Sequence, residues 1–92
     1  MLLNGRYSDL ERRIIDTFRE GMEARPGAEL TIVIPERLYI LVRYLISDGF
    51  VVGHVYESPM TTTFPDGTII RDNHLKLTLA PKGHEFISRL NA

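Results

Sequence analysis

The sequence predicts an α+β domain in which three helices pack against a long β-hairpin, and three observations support this prediction. Two segments in the first half of the chain have apolar residues at the spacing of amphipathic helices. After Gly49 the spacing changes to alternation of apolar and polar residues, which is typical of strands. A Pro-Asp-Gly turn at residues 65–67 lies between two such segments, and a short helical segment follows the second one.

The first helix is predicted over residues 8–25. Ser8 and Glu11 form a capping-box pattern, in which the hydroxyl and the carboxylate accept hydrogen bonds from N–H groups without a partner inside the helix. The apolar residues recur at every fourth position, at Leu10, Ile14, Phe18 and Met22. Because this spacing gives one apolar face, we expect that face to be buried. Pro26-Gly27 ends the helix.

A short strand and a second helix are predicted next. The β-branched residues at positions 30–34 favour a strand. Pro35 suits the first position of a helix, where its missing N–H has no intrahelical partner, and we expect this helix to extend to Asp48. Its buried face is predicted from four apolar residues at helical spacing, Leu38, Leu41, Val42 and Leu45. Gly49 then suits a left-handed C-terminal cap.

The remaining chain predicts the hairpin and a third helix over residues 81–90. A hairpin centred on the turn at residues 64–68 gives three pairings, Phe64 with Thr68, Val55 with Leu77 and Gly53 with Leu79. Pro59 then faces Asn73. Because proline cannot donate a hydrogen bond to the ladder, this pairing predicts a bulge in the middle of the hairpin.

The composition limits the classes of function. The 92 residues fit one domain, predicted over residues 1–92, and 11 basic against 12 acidic residues leave a net charge of −1. The chain therefore has no overall positive field for nucleic acid. It has no cysteine, which excludes disulfides and thiol catalysis. No apolar segment reaches about 18 residues and no signal-peptide pattern opens the chain, so we expect a cytoplasmic protein without a membrane span.

The order of the elements is that of a winged-helix domain, and two segments resemble such proteins more closely. Residues 44–53 (YLISDGFVVG) resemble the junction between the recognition helix and the wing. Residues 79–87 (LAPKGHEFI) are similar to the ending of small phage and prophage winged-helix proteins of the YjcQ and DUF2513-like type. Ala80 departs from that pattern, because a threonine would cap the last helix there. The resemblance implies a phage or mobile-element origin, with one usual helix missing or reduced to residues 27–34.

The resemblance also implies a binding face on the helix at residues 35–48. In a DNA-binding or transcription-modulating member, Tyr39, Ile40 and Arg43 would face the major groove of double-stranded DNA. Arg37 and Lys76 would be the phosphate contacts. Such a protein would act as a homodimer, because two copies double the bases that face the DNA.

A second function uses the same scaffold, as a non-enzymatic protein-binding module such as a phage-encoded inhibitor of a host protein complex. Tyrosine, arginine and exposed isoleucine are typical of protein interfaces, and the contact would use Tyr39, Ile40, Tyr44 and the wing residue Phe64. Between Ser47 and Leu75 there are four acidic residues and one basic residue, which disfavours contact with phosphates. The uncharged residues 60–64 either accept a partner strand or pair only within the hairpin. DNA binding or transcription modulation is the leading prediction, and the protein-binding module is its alternative.

The sequence predicts no enzyme, no cofactor, no metal site and no small-molecule substrate. The histidines at positions 54, 74 and 84 lack the second histidine or carboxylate that zinc sites have at close spacing. The serines lie in no nucleophile-elbow pattern, and the glycines are scattered instead of forming a phosphate-binding loop.

Overall fold

The computed structural model describes residues 5–90, without the side chains of residues 56–58. These residues form an α+β domain with one antiparallel sheet, as the sequence predicts. The elements in chain order are α1 (Asp9–Ala24), β1 (Thr31–Pro35), a 3₁₀ helix (Glu36–Leu41), α2 (Arg43–Ser47), β2 (Val51–Thr63), β3 (Ile69–Leu79) and α3 (Pro81–Leu90). The three strands lie in the order β1-β3-β2, so that the last strand of the hairpin is central.

The first helix forms as predicted, and its capping box is present. The Glu11 N–H donates to Ser8 Oγ at 3.2 Å, and the Ser8 N–H donates to Glu11 Oε1 at 2.9 Å. Ile14, Ile15 and Phe18 of α1 are buried and belong to the hydrophobic core. The predicted apolar face therefore attaches this helix to the domain.

The hairpin has the predicted turn and bulge, but its register near the base differs from the prediction. The Phe64 N–H donates to the Thr68 carbonyl at 2.8 Å, which confirms the turn. The register shifts between Tyr56 and Met60, where three residues of β2 face only Asn73 of β3. Because this bulge holds two more residues than its partner strand, the predicted pairs of Val55 and Gly53 are wrong. Their actual partners are Leu75 and Leu77.

A shift of two residues keeps each side chain on its predicted face, because side chains alternate along a strand. Leu75, Leu77 and Leu79 are accordingly buried in the core, next to Leu45 and Ile87. The third helix also forms as predicted. Its Gly83 permits close packing, because a Cβ atom at that position would lie 2.1 Å from the Phe50 carbonyl oxygen.

The prediction of one continuous helix over residues 35–48 is wrong. The segment divides into the 3₁₀ helix and the five-residue α2, and Val42 between them has φ −123° and ψ 12°. Leu41 is consequently 45% exposed instead of lying in the core, whereas Val42 and Leu45 are buried as expected. Residues 27–34 contain no helix, since Thr31 begins β1.

Candidate interaction surface

Ser8 and Glu11 interrupt the second helix, because they form hydrogen bonds with the Leu41 carbonyl and the Leu45 N–H, which would otherwise bond to each other. In a continuous helix the Leu45 N–H would donate to the Leu41 carbonyl. Here the Leu41 carbonyl accepts from Ser8 Oγ, and the Leu45 N–H donates to Glu11 Oε2 at 2.7 Å. The capping box of α1 therefore replaces one internal hydrogen bond of the second helix with two contacts from another element. We call Ser8 and Glu11 the helix clamp.

The interrupted helix presents three consecutive apolar side chains to solvent. Tyr39 is 47% exposed, Ile40 62% and Leu41 45%. We call these three residues the apolar patch. Ile40 and Leu41 also line a groove of about 250 Å³ between the 3₁₀ helix and the start of α1. Tyr39 and Ile40 were predicted to lie on this face, but Leu41 was not.

Two guanidinium groups flank Tyr44 beside the same groove. The Arg6 guanidinium lies 4.6 Å from the centre of the Tyr44 ring, and that of Arg43 lies 5.0 Å from it. Arg43 Nη2 also donates to the Tyr44 hydroxyl at 3.5 Å. The Arg6 guanidinium forms an ion pair with Asp48 at 3.0 Å. Among the described residues, no carboxylate forms an ion pair with Arg43, so its charge remains available beside the apolar patch.

Tyr7 anchors the segment directly before α1 to the end of α2. Its hydroxyl donates to Asp48 Oδ2 at 2.7 Å, and its ring packs against Phe50 and Phe86. Burial and this hydrogen bond to a carboxylate raise the pKa of the Tyr7 phenol, so that the hydroxyl stays a donor. Arg6 is thereby held next to Tyr44. No sequence pattern had indicated Arg6 or Tyr7, because their roles depend on contacts with residues about 40 positions away.

Arg37 is held by Asp72 of β3. Its backbone N–H and its Nε donate to the same Asp72 oxygen at 3.2 and 3.1 Å. This guanidinium holds the pKa of Asp72 below its usual value. A phosphate that contacts Arg37 would have to compete with the Asp72 carboxylate. The sequence pattern does not reveal this ion pair.

Lys76 and Phe64, like Arg37 and Tyr39, do not line the groove. Lys76 is half-buried on β3, between Val33 of β1 and His54 of β2 in the strand register. Phe64 is half-buried at the closed end of the hairpin, where the Thr68 N–H donates to the Asp66 carboxylate. The pKa of Asp66 is lowered by that hydrogen bond, so the exposed tip carries a negative charge. The structure thus brings together Ile40, Arg43 and Tyr44 but not Lys76 or Phe64.

The sequence predicts that the three histidines hold no metal and that no segment spans a membrane. His74 is buried, and its Nδ1 donates to the Asp72 carbonyl at 3.0 Å while its Nε2 forms a hydrogen bond with the Thr62 hydroxyl at 2.7 Å. Within residues 5–90 no cluster of three or more potential metal ligands occurs. No helix in that range has the length and apolar character needed to cross a membrane.

Comparison with protein-family models, curated proteins and solved structures finds no match for this chain.

Proposed function

We propose that this protein is a cytoplasmic, non-enzymatic winged-helix domain that binds a protein partner through the apolar patch. The carrying observation is the exposure of Tyr39, Ile40 and Leu41 together beside a groove. Single exposed apolar side chains are normal, but contiguous ones mark interaction surfaces. The β1-β3-β2 sheet and its long hairpin support the winged-helix assignment.

The charges at the groove indicate the chemistry of the partner. Arg43 is exposed at its rim and Arg6 lies on the other side of Tyr44. A partner segment with an apolar side chain followed by a carboxylate would occupy the groove and pair with Arg43. A phage-encoded inhibitor would use this groove to bind such a segment of a host complex.

Ile40→Asp tests the proposal directly, because it places a charge in the centre of the apolar patch. Photocrosslinking from position 39 in host lysate should capture one defined protein, and Ile40→Asp should lower that yield at least about tenfold. Purified partner should then bind the wild-type chain and fail to bind the variant.

Val52→Asp is the matched control, since Val52 is 60% exposed but lies on the sheet. It should leave both the crosslink and the binding unchanged, and thermal melts should show both variants folded. The proposal would be contradicted if both variants lost binding equally. It would also be contradicted if no protein were found whose crosslinking yield falls in Ile40→Asp.

DNA binding is the second candidate, and one observation favours it: the exposed Arg43 has no ion-pair partner among the described residues. Three observations weigh against it, namely the five-residue length of α2, the Arg37–Asp72 ion pair and the Asp66 charge at the tip. If the chain binds DNA, the affinity for a mixed duplex falls steeply with salt and Arg43→Ala weakens it. No shift of duplex at low salt eliminates this function.

A further inference from the structure

The outer edge of β1 is unpaired within residues 5–90. β1 pairs with β3 on one side, and the strand order leaves β1 at the edge of the sheet. The Leu79 N–H donates to the Leu30 carbonyl at 3.0 Å. Because hydrogen-bonded residues alternate along an antiparallel ladder, Thr31 and Val33 direct their backbone N–H and C=O groups away from β3.

The sequence of β1 leaves this edge open to another strand. The strand contains no charged residue, and its one proline is Pro35 at the end. The other edge strand, β2, contains Pro59 and the bulge between Tyr56 and Met60. Proline and bulges are features that prevent pairing at sheet edges, and β1 lacks both before its last residue.

We propose that β1 pairs antiparallel with β1 of a second copy of this chain, about a two-fold axis at Ile32. In this register Thr31 of each copy faces Val33 of the other, and each such pair exchanges two backbone hydrogen bonds. Pro35 is not required to donate. The two sheets then continue into one, with the β1 strands at its centre.

The side chains on the helix face of β1 also suit a second copy. Ile32 is half-buried and lines a groove of about 290 Å³ between α1 and β1, together with Phe18, Gly21 and Leu30. Residues at the axis face each other directly, so Ile32 of one copy lies beside Ile32 of the other. The pair of isoleucines fills the apolar ends of both grooves, which an isolated chain leaves open to water.

The register also indicates that the occupant is a second copy. A two-fold axis at Ile32 uses the outward N–H and C=O groups of Thr31 and Val33 in both strands, and it leaves Pro35, which has no N–H, outside the required pairs. The same axis places the two half-buried Ile32 side chains against each other.

Val33→Pro tests this inference by light scattering over a concentration series, because it removes an outward N–H that β3 does not use. We expect the wild-type chain to reach twice the mass of one chain, and Val33→Pro to raise the dissociation constant at least about tenfold. Thr31→Pro removes the other outward N–H and should act in the same way if Val33→Pro does not fold.

Val55→Pro is the matched control on the other edge. The Ala80 N–H donates to the Phe50 carbonyl at 2.9 Å, so by the same alternation Val55 points its N–H away from β3. This variant should dimerise like the wild-type chain. A wild-type chain that stays monomeric, or a dimer that Val55→Pro disrupts and Val33→Pro does not, would overturn the inference. Neither outcome bears on the partner that binds at Ile40.

Discussion

At the scale of single residues, Glu11 joins two helices. Its side chain is 1% exposed, yet both carboxylate oxygens accept hydrogen bonds, one from the Ser8 N–H and one from the Leu45 N–H. A buried carboxylate is costly unless it is fully hydrogen-bonded. Both donors belong to the first turns of helices, where the N–H groups have no internal partner. Glu11 therefore satisfies two helix starts with one side chain.

Glu11→Ala should lower the free energy of unfolding by about 2–4 kcal/mol, because the buried Leu45 N–H and the partly buried Ser8 N–H both lose their carboxylate acceptor. Glu23→Ala, on the exposed face of the same helix, should change it by less than about 0.5 kcal/mol. Urea unfolding followed by circular dichroism measures both. If the two variants have equal stability, the helix clamp does not hold the fold as described.

At the scale of elements, the parts that local sequence determines were predicted correctly. The capping box, the Pro-Asp-Gly turn and the apolar face of α3 depend on neighbouring residues, and all three form. The interruption of the second helix depends on Ser8 and Glu11, more than 30 residues away. Periodicity could not reveal it, since the pattern of residues 38–45 is that of a regular helix. The size of the bulge was hidden for a similar reason, because Pro59 marks its place but not its length.

The same distinction holds for the interaction surface. Tyr39 and Ile40 were predicted to be exposed because they lie opposite the apolar face of the expected helix, and they are exposed. Leu41 was expected in the core and is in the apolar patch, because the helix breaks after it. The ion pair between Arg37 and Asp72 joins distant parts of the chain, which spacing does not show.

At the scale of the whole molecule, we propose two surfaces of the described chain as sites for macromolecular partners. The apolar patch lies at the 3₁₀ helix, and the open strand edge lies at β1, directly before it in the chain. The net charge of −1 and the negative hairpin tip disfavour contact with DNA backbones. In the proposed dimer the two β1 strands are central, so two apolar patches would be fixed relative to each other.

The conformation of residues 36–47 in solution tests the central claim most directly, because Leu41 belongs to the exposed patch only if the helix is interrupted after it. Nuclear Overhauser contacts in a labelled sample would map it residue by residue. We expect helical contacts within Arg43–Ser47 and none between the Leu41 Hα and the Leu45 amide, with Leu41 accessible to a soluble paramagnetic probe. Unbroken helical contacts from Glu36 to Ser47, with Leu41 protected from the probe, would contradict the clamp and the surface it creates.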